Sequence, residues 1–314
     1  MSALTPRLAL MLSVPPLLWA GNAVVGRIAI QSIGPLWLNA LRWAIALAIV
    51  LPLGWQAVGS PQRRAQLAAR WPHLALLSLT GVGAYNALQY LALQTSTPLN
   101  VTLIAASAPV WMLAIGAAVY GERPRRAQVA GAALSLAGVA VVLARGDPAA
   151  LLRVQLVPGD LLMLCAIACW CVYSWLLARP PASMRPPARP DWHWAEFLCI
   201  QIAPGLLWAS LFAGVGELLQ PGAQPLVWSP ALLAALAYVG ILPSLVAYRL
   251  WGLGVARAGP TVAAFFGNLT PLFAALLGAA MLGEWPRAFH GLAFGLIVAG
   301  IVVSARPARP APTA

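Results

Sequence analysis

Long apolar runs separated by short polar segments make up most of the chain. Cutting it at clusters of proline, glycine and arginine leaves ten apolar segments, numbered spans 1 to 10 in chain order: 8–29, 33–56, 72–94, 97–120, 126–144, 158–178, 194–217, 228–252, 259–282 and 288–305. A helix crosses the hydrocarbon layer with about 20 mainly apolar residues, whereas the strands of a membrane barrel alternate in polarity. The pattern therefore predicts an all-α integral membrane protein with ten transmembrane helices.

Composition supports this prediction and excludes other classes of protein. Hydrophobic residues make up 61% of the chain and charged residues 8%, whereas a soluble domain has about 25% charged residues. The net charge of +12 comes from arginine alone. Because these arginines lie mostly in short loops between spans, membrane orientation explains them better than nucleic-acid binding does. We expect a lipid bilayer around the protein and no nucleic-acid partner.

Cysteine and histidine give no sign of a metal site or an active site. The four cysteines lie inside apolar segments without zinc-ligand company, and the three histidines lie near span ends. Neither HExxH nor GxSxG occurs in the sequence. An enzyme in the membrane would need a nucleophile with a base, or a metal triad, at depth. The sequence therefore predicts no metal, no cofactor and no enzymatic activity.

The distribution of arginines predicts that both termini lie in the cytoplasm. Span 1 has no convincing signal-peptidase site, so we expect a retained helix. With the N-terminus inside, thirteen arginines fall in cytoplasmic segments: Arg7, Arg63, Arg64, Arg70, Arg123, Arg125, Arg126, Arg179, Arg185, Arg189, Arg257, Arg306 and Arg309. Four fall outside: Arg27, Arg145, Arg153 and Arg287. Positive residues concentrate in cytoplasmic loops, and we expect the bacterial inner membrane as the location.

A motif recurs at an offset of 162 residues. GERPR (121–125) follows span 4 and GEWPR (283–287) follows span 9. The same offset pairs Pro109 with Pro271, Gly116 with Gly278 and Gly138 with Gly300. With a different offset, WAGNAVV in span 1 resembles WCVYSWL in span 6. The chain therefore divides into two halves of five spans, residues 8–144 and 158–305, joined by an external linker, residues 145–157.

Five is an odd number, so the second half enters the membrane from the opposite side. Such inverted repeats are typical of secondary transporters. We interpret the repeated GExP motif as a hairpin: Gly121 ends span 4, Glu122 favours the positive start of span 5, and Pro124 suits its first turn. Gly283, Glu284 and Pro286 are expected to do the same on the other side. A direct transport role for Glu122 or Glu284 is the less favoured alternative.

The order of motifs along the chain resembles a known family. It includes LLWAGNAVVGRIAI in span 1, LNALRWAIALAIVLPL in span 2, YNALQYLALQTSTPLNVTLIAASAPVW through spans 3 and 4, both GExP hairpins, PGDLLMLCAIACWCVYSWLLAR in span 6, and LPSLVAYRLWGLGVARAGPTVAAFFGNLTPL through spans 8 and 9. Together these are similar to the EamA-type family of the drug/metabolite transporter superfamily. The resemblance implies a ten-helix carrier with a central cavity between its halves, often an exporter of amino acids or related metabolites.

Arg42 is the sharpest candidate for substrate binding. It lies deep in span 2, where a charge costs at least about 2.5–3.5 kcal/mol and should face a cavity or a partner. It either attracts a substrate carboxylate or makes structural hydrogen bonds to its neighbours. For Arg249 in span 8, which is nearer a span end, the structural interpretation is favoured.

Polar and aromatic side chains in six further spans are the other candidates. In span 3 the spacing of Asn86, Gln89 and Tyr90 puts them on one helix face. This patch either binds substrate or joins helices by hydrogen bonds. Tryptophans of spans 1 and 6 lie too deep for an interfacial belt, which favours a cavity lining; Trp111 fits core packing equally well. The full set of predicted substrate-binding residues is Trp19, Asn22, Arg42, Tyr85, Asn86, Gln89, Tyr90, Trp111, Trp170, Tyr173, Tyr248 and Asn268.

These observations predict an alternating-access carrier for a small polar or zwitterionic metabolite, with export suggested by the family resemblance. All seven carboxylates lie at span ends or in loops, so we expect no buried acid for proton or sodium coupling, and we favour facilitated diffusion or exchange. A facilitative channel and an uptake permease remain alternatives. A GxxxG pair, Gly291 and Gly295 in span 10, makes a weak homodimer an alternative to a monomer.

Overall fold

The described part of the chain is built from α-helices and contains no strand. The computed structural model describes residues 4–96, 98–219, 226–282 and 287–306. Its sixteen helices are α1 (Pro6–Ala29), α2 (Pro35–Gly54), α3 (Pro61–Ala68), α4 (Trp71–Ser78), α5 (Tyr85–Thr95), α6 (Pro98–Ala106), α7 (Ala108–Tyr120), α8 (Arg126–Leu143), α9 (Ala149–Leu152), α10 (Pro158–Ala178), α11 (Trp194–Leu219), α12 (Pro230–Ile241), α13 (Ala247–Ala258), α14 (Pro260–Gly267), α15 (Thr270–Leu282) and α16 (Ala288–Ser304).

Seven stretches of continuous helix within these residues are long and apolar enough to cross a membrane. The bent pair α6 and α7, whose axes differ by 43°, makes eight if it counts as one span. Helix α16 is apolar but shorter than these. The protein is therefore a multi-pass membrane protein, and each predicted span contains helix at the expected place in the chain.

Several spans are interrupted, and the interruptions repeat along the chain. A π-helical segment, Leu79–Ala84, joins α4 to α5, and a second one, Leu242–Val246, joins α12 to α13. Helices α6 and α7 meet at Ser107, and α14 and α15 are separated by Asn268 and Leu269. Shifting the first interruption of each kind by 162 residues brings it onto the second. Short π segments in helices often mark functional sites.

The packing of the helices follows the same correspondence between the two halves. Helix α2 packs against α11, and α8 packs against α16. The pair α5 with α10, from spans 3 and 6, corresponds to the pair α13 with α1, from spans 8 and 1. The side chains of α1, α5, α10 and α13 therefore meet in the middle of the molecule.

Glycines allow α8 and α16 to approach each other closely. A methyl group placed at Gly131 would lie 2.7 Å from the carbonyl oxygen of Gly300, and one at Gly138 would lie 2.8 Å from that of Ala293. Under the 162-residue offset, Gly131 corresponds to Ala293 and Gly138 to Gly300, so the two contacts occupy equivalent places in the two halves. Among the described residues, no atom outside its own helix lies within 4 Å of a methyl group placed at Gly291 or Gly295. The weak homodimer that this pair favours stays a prediction.

The first GExP hairpin differs from the expected one in two details. Gly121 takes a left-handed conformation with φ of 67° and ends α7, as expected. Glu122 pairs with Arg179 at the end of α10, so its charge is neutralised across the loop and not by the next helix. Helix α8 begins only at Arg126, so the prediction that Pro124 lies in its first turn is wrong. Gly283, Glu284 and Pro286 of the second hairpin lie outside the described residues.

Candidate functional site

Arg42 is buried in the centre of the protein and bonded to two other spans. Its side chain is 1% exposed. Nε donates to Oγ of Ser244 at 3.0 Å. Nη1 donates to Oδ1 of Asn86 and to the hydroxyl oxygen of Tyr90, each at 3.2 Å. Its Cζ also lies 5.3 Å from the ring centroid of Trp43. The guanidinium is therefore fixed in position by neutral oxygens and an aromatic face.

No carboxylate neutralises this charge among the residues that the structure describes. The ion pairs found there involve Glu122 and Glu196, and neither contacts Arg42. A buried charge is costly unless it is paired and hydrogen-bonded. Neutral acceptors offset part of that cost, and an anion that reached the guanidinium would offset more. The site is therefore suited to an anionic group supplied by a ligand.

Six aromatic side chains, called here the aromatic cluster, lie beside Arg42. Trp170 of α10 is at its centre, and its ring centroid lies within 5.0 to 5.6 Å of those of five neighbours. The members of the cluster are Trp19, Tyr85, Trp170, Tyr173, Tyr248 and Trp251. Trp43 joins the cluster to Arg42, since its ring meets Tyr248 edge to face at 5.0 Å. Flat, polarisable surfaces of this kind favour stacking with an aromatic or large apolar group.

The two π segments supply polar partners to both parts of the site. Ser244, the hydrogen-bond partner of Arg42, belongs to the second segment. The Tyr248 hydroxyl donates to the carbonyl oxygen of Gly81 in the first segment. Trp19 Nε1 donates to the carbonyl oxygen of Pro243 in the second, at 3.3 Å. A movement of the second segment would therefore change both the guanidinium environment and the aromatic cluster, and a movement of the first would change the cluster.

Most residues predicted from the sequence come together in this region. The aromatic cluster and the Arg42 contacts include eight of them: Trp19, Arg42, Tyr85, Asn86, Tyr90, Trp170, Tyr173 and Tyr248. Asn22 follows Trp19 by one turn of α1. It is buried, and its Oδ1 has no hydrogen-bond partner among the described residues.

The other three predicted residues make further contacts. Gln89 is half-buried and forms a side-chain hydrogen bond with Tyr85 of the aromatic cluster. Trp111 is half-buried and packs against the main core. Asn268, at the break before α15, donates from Nδ2 to Oγ of Ser135 on α8 at 2.8 Å. For Asn268 the contact joins two spans, because the interrupted helix turns the side chain towards α8.

The sequence did not single out several residues of this region. Trp43 was visible only as the aromatic neighbour of Arg42, and Trp251 only as the position that corresponds to Gln89 under the 162-residue offset. Asn39, one turn before Arg42, is fully buried with both side-chain polar atoms unpartnered. For Asn39, the available signal was its spacing of three from the charge of Arg42. Nothing in the sequence pattern marked Ser244.

The expectation that no acid is buried is wrong for two residues. Asp160 is 3% exposed and accepts hydrogen bonds from the hydroxyl of Ser96 and, at 2.9 Å, from Nδ2 of Asn100. Glu196 is 1% exposed and pairs with Arg63. Both lie in the first turn of a helix, α10 and α11, where a carboxylate is favoured by the free amide groups. Residues from the other half of the chain contact them, which the hydropathy pattern does not reveal.

A known protein family matches the two halves of the chain separately. The EamA-like transporter family matches residues 7–144 and 157–306. An uncharacterized transporter of Archaeoglobus fulgidus is 28% identical over 300 residues, which cover 94% of this chain and 96% of that protein. The aromatic amino acid exporter YddG of Ancylobacter novellus is 28% identical over 296 residues, covering 93% and 95%. A probable terminal-alkyne amino-acid exporter of Streptantibioticus cattleyicolor is 26% identical over 287 residues, covering 91% and 89%.

A solved crystal structure has the same architecture over nearly the whole chain. It is 25% identical in sequence and superposes with a TM-score of 0.72, covering 95% of this chain and 97% of the other. Both halves of the sequence match the family, and named relatives of similar length are transporters. These findings indicate a transporter rather than an enzyme. The chain belongs to the EamA-like transporter family and is a multi-pass membrane transporter.

Proposed function

We propose that this protein exports amino acids, and that it prefers those with aromatic or large apolar side chains. The observation that carries the proposal is Arg42, a buried guanidinium without a carboxylate partner in the described residues, placed beside the aromatic cluster. An amino acid offers a carboxylate to the arginine and a side chain to the rings. Relatives named as exporters of aromatic or other amino acids support this substrate class.

Each part of the site has a distinct role in this proposal. Arg42 binds the carboxylate, and Asn86, Tyr90 and Ser244 hold the guanidinium in place. Trp170 and its neighbours stack against the side chain. The free Oδ1 of Asn22 accepts a hydrogen bond from the ammonium group. Affinity should be modest, since a carrier that binds too tightly releases its cargo slowly.

The proposed architecture is ten spans in two inverted five-helix repeats, residues 8–144 and 158–305. The separate family matches at 7–144 and 157–306 support it. The recurrence of π segments and helix breaks at one offset supports it as well. With both termini in the cytoplasm of a bacterial inner membrane, the halves would rock about the central site and expose it to each side in turn.

The proposed mechanism of transport is facilitated diffusion or exchange. Asp160 and Glu196 are buried, but both are occupied by hydrogen bonds or an ion pair at helix starts and contact neither Arg42 nor the aromatic cluster. In liposomes, flux of an aromatic amino acid should saturate, increase with substrate on the far side, and persist with an uncoupler. Loss of flux with the uncoupler would contradict this mechanism, and flux without trans-stimulation would indicate a channel.

Replacing Arg42 tests the site directly. Truncating one partner of a buried charged pair typically costs 2–5 kcal/mol, so Arg42→Gln should weaken binding of phenylalanine by about thirtyfold or more. Phenethylamine, which lacks the carboxylate, should bind the variant and the original protein alike. Equilibrium binding to purified protein measures both.

Arg257→Gln is the matched control, because Arg257 is an exposed arginine at the end of α13. Thermal unfolding shows whether each variant is folded. If Arg42→Gln does not fold, Tyr90→Phe removes one hydrogen bond to the guanidinium and should weaken phenylalanine binding without affecting phenethylamine. Unchanged phenylalanine binding in a folded Arg42→Gln protein would refute the site.

A further inference from the structure

A narrow groove on the side of the protein lies between three helices and contains one charged residue. Its volume is about 200 Å³. The lining residues come from α2, the start of α11, the second π segment and α13: Ile49, Val50, Leu53, Trp194, Leu245, Val246, Arg249 and Leu250. Trp194 is the first residue of α11 and Leu53 lies next to the last residue of α2. One end of the groove therefore lies where these two helices end.

The charge of Arg249 is not neutralised by any described residue. The guanidinium Cζ lies 5.4 Å from the ring centroid of Trp194, and none of the ion pairs in the described part of the chain includes it. A cation resting on an indole face keeps its remaining donors available. Below it, Ile49 and Val246 leave 42% and 38% of their surfaces exposed. The groove is thus lined almost entirely by apolar surface, and its one cation, Arg249, rests against Trp194.

We propose that this groove is a binding site for one anionic phospholipid. The phosphate would bind the Arg249 guanidinium beside Trp194, and an acyl chain would lie along Ile49, Leu245 and Val246. Basic pockets between membrane helices bind anionic headgroups in this way, and tryptophan favours the headgroup region. The charge complementarity selects a phosphate, and the apolar lining selects a lipid over a soluble anion.

A larger cavity of about 450 Å³ at the end of α2 does not offer the same selectivity. It is lined by residues such as Trp55, Trp71 and Pro204, and no charged side chain is among them. It shares no residue with the Arg42 site either. An apolar space without a charge discriminates poorly between lipids. The Arg249 groove therefore carries the inference.

Binding in the groove would also reach the transport site. Leu245 and Val246 belong to the π segment that supplies Ser244 to Arg42. A lipid packed against this segment should hold it in its present conformation. We expect bound anionic lipid to raise the temperature of thermal unfolding. The lipid site itself is independent of the identity of the transported substrate.

Lipid binding to purified, delipidated protein tests the proposal. Native mass spectrometry with phosphatidylglycerol and phosphatidylcholine of matched chains should show preferential binding of phosphatidylglycerol. One juxtamembrane charge contributes roughly a fivefold preference, so Arg249→Gln should lose about fivefold in affinity for phosphatidylglycerol and little for phosphatidylcholine. Arg249→Lys should keep most of the preference. Arg257→Gln, on the same helix but outside the groove, should bind like the original protein.

Three results would overturn the site. The first is an equal loss of affinity for phosphatidylglycerol in Arg257→Gln and Arg249→Gln. The second is that the original protein shows no preference for phosphatidylglycerol. The third is that glycerol phosphate displaces the lipid at a similar concentration. If Arg249→Gln does not fold, Ile49→Trp fills the groove without changing the charge. Retention of the lipid preference in Ile49→Trp would also refute the proposal.

Discussion

At the residue scale, the central feature is a charge that the protein itself does not neutralise. Arg42 lies among Ser244, Asn86 and Tyr90, all of which offer neutral oxygens. Hydrogen bonds of this kind position a guanidinium but leave its net charge in place. The Arg42 guanidinium and the aromatic cluster therefore offer chemically different surfaces to the two ends of one small molecule.

Trp170 is the ring whose loss should change substrate recognition most. It contacts five other members of the aromatic cluster, and aromatic pairs contribute about 0.5–1.5 kcal/mol beyond burial. Trp170→Phe should therefore weaken binding of tryptophan or phenylalanine by about three- to tenfold and change alanine binding less. Equilibrium binding of this set of amino acids measures the change.

Trp175 on the same helix is the matched control. It is 1% exposed, donates from Nε1 to the carbonyl oxygen of Met112 at 3.0 Å, and stacks on Tyr120 outside the aromatic cluster. Trp175→Phe should lower the temperature of unfolding and leave the binding preference intact. If both variants lost aromatic preference equally, the role assigned to Trp170 would be wrong.

At the element scale, interrupted helices distinguish the transport core from a plain bundle. The apolar pattern predicted continuous spans, and only the proline after Asn268 pointed to a break. The two π segments were not predicted, because one extra residue in a turn leaves the hydropathy of the span unchanged. Their position beside Arg42 and Tyr248 gives them a direct connection to the site.

Close packing of α8 and α16 should depend on glycine at defined positions. A methyl group at Gly131 would lie 2.7 Å from a backbone oxygen of α16, so Gly131→Ala must push the two helices apart. Overpacking of this kind typically costs 1–3 kcal/mol, and the temperature of unfolding in detergent should fall. Gly291→Ala is the control, since no described residue outside the helix lies within 4 Å of the added methyl group. Equal stability of the two variants would contradict the described contact.

At the scale of the whole molecule, contacts near the ends of the spans join residues that are predicted to lie on the same side of the membrane. Arg63 pairs with Glu196, and Arg125 donates to the carbonyl oxygen of Ser304 at 3.3 Å. All four residues lie in or next to segments predicted to be cytoplasmic. On the side that is predicted to be external, Nδ2 of Asn100 donates to Asp160 in the first turn of α10.

Reporter fusions test this orientation. A fluorescent protein fused after Arg306 should fluoresce, and alkaline phosphatase fused after Gln155 should be active, because the phosphatase requires an oxidising compartment for its disulfides. Exchanging the two reporters should abolish both signals. An active phosphatase after Arg306 would contradict the proposed ten-span arrangement with cytoplasmic termini.

The sequence by itself determined the membrane-spanning helices and the repeated motifs. Hydropathy is a sum over neighbouring residues, so it can be read without knowing the fold. The depth of Arg42 in span 2 and the helical spacing of Asn86 and Tyr90 were also readable locally. These signals placed most of the candidate site residues on the correct elements.

Only the tertiary structure decided which of those residues meet. The partners of Arg42 lie 44, 48 and 202 positions away along the chain, and no local pattern specifies such distances. The same holds for the burial of Asp160 and Glu196 and for the contact of Asn268 with Ser135. Side chains become neighbours when whole helices pack, and that packing depends on every face at once.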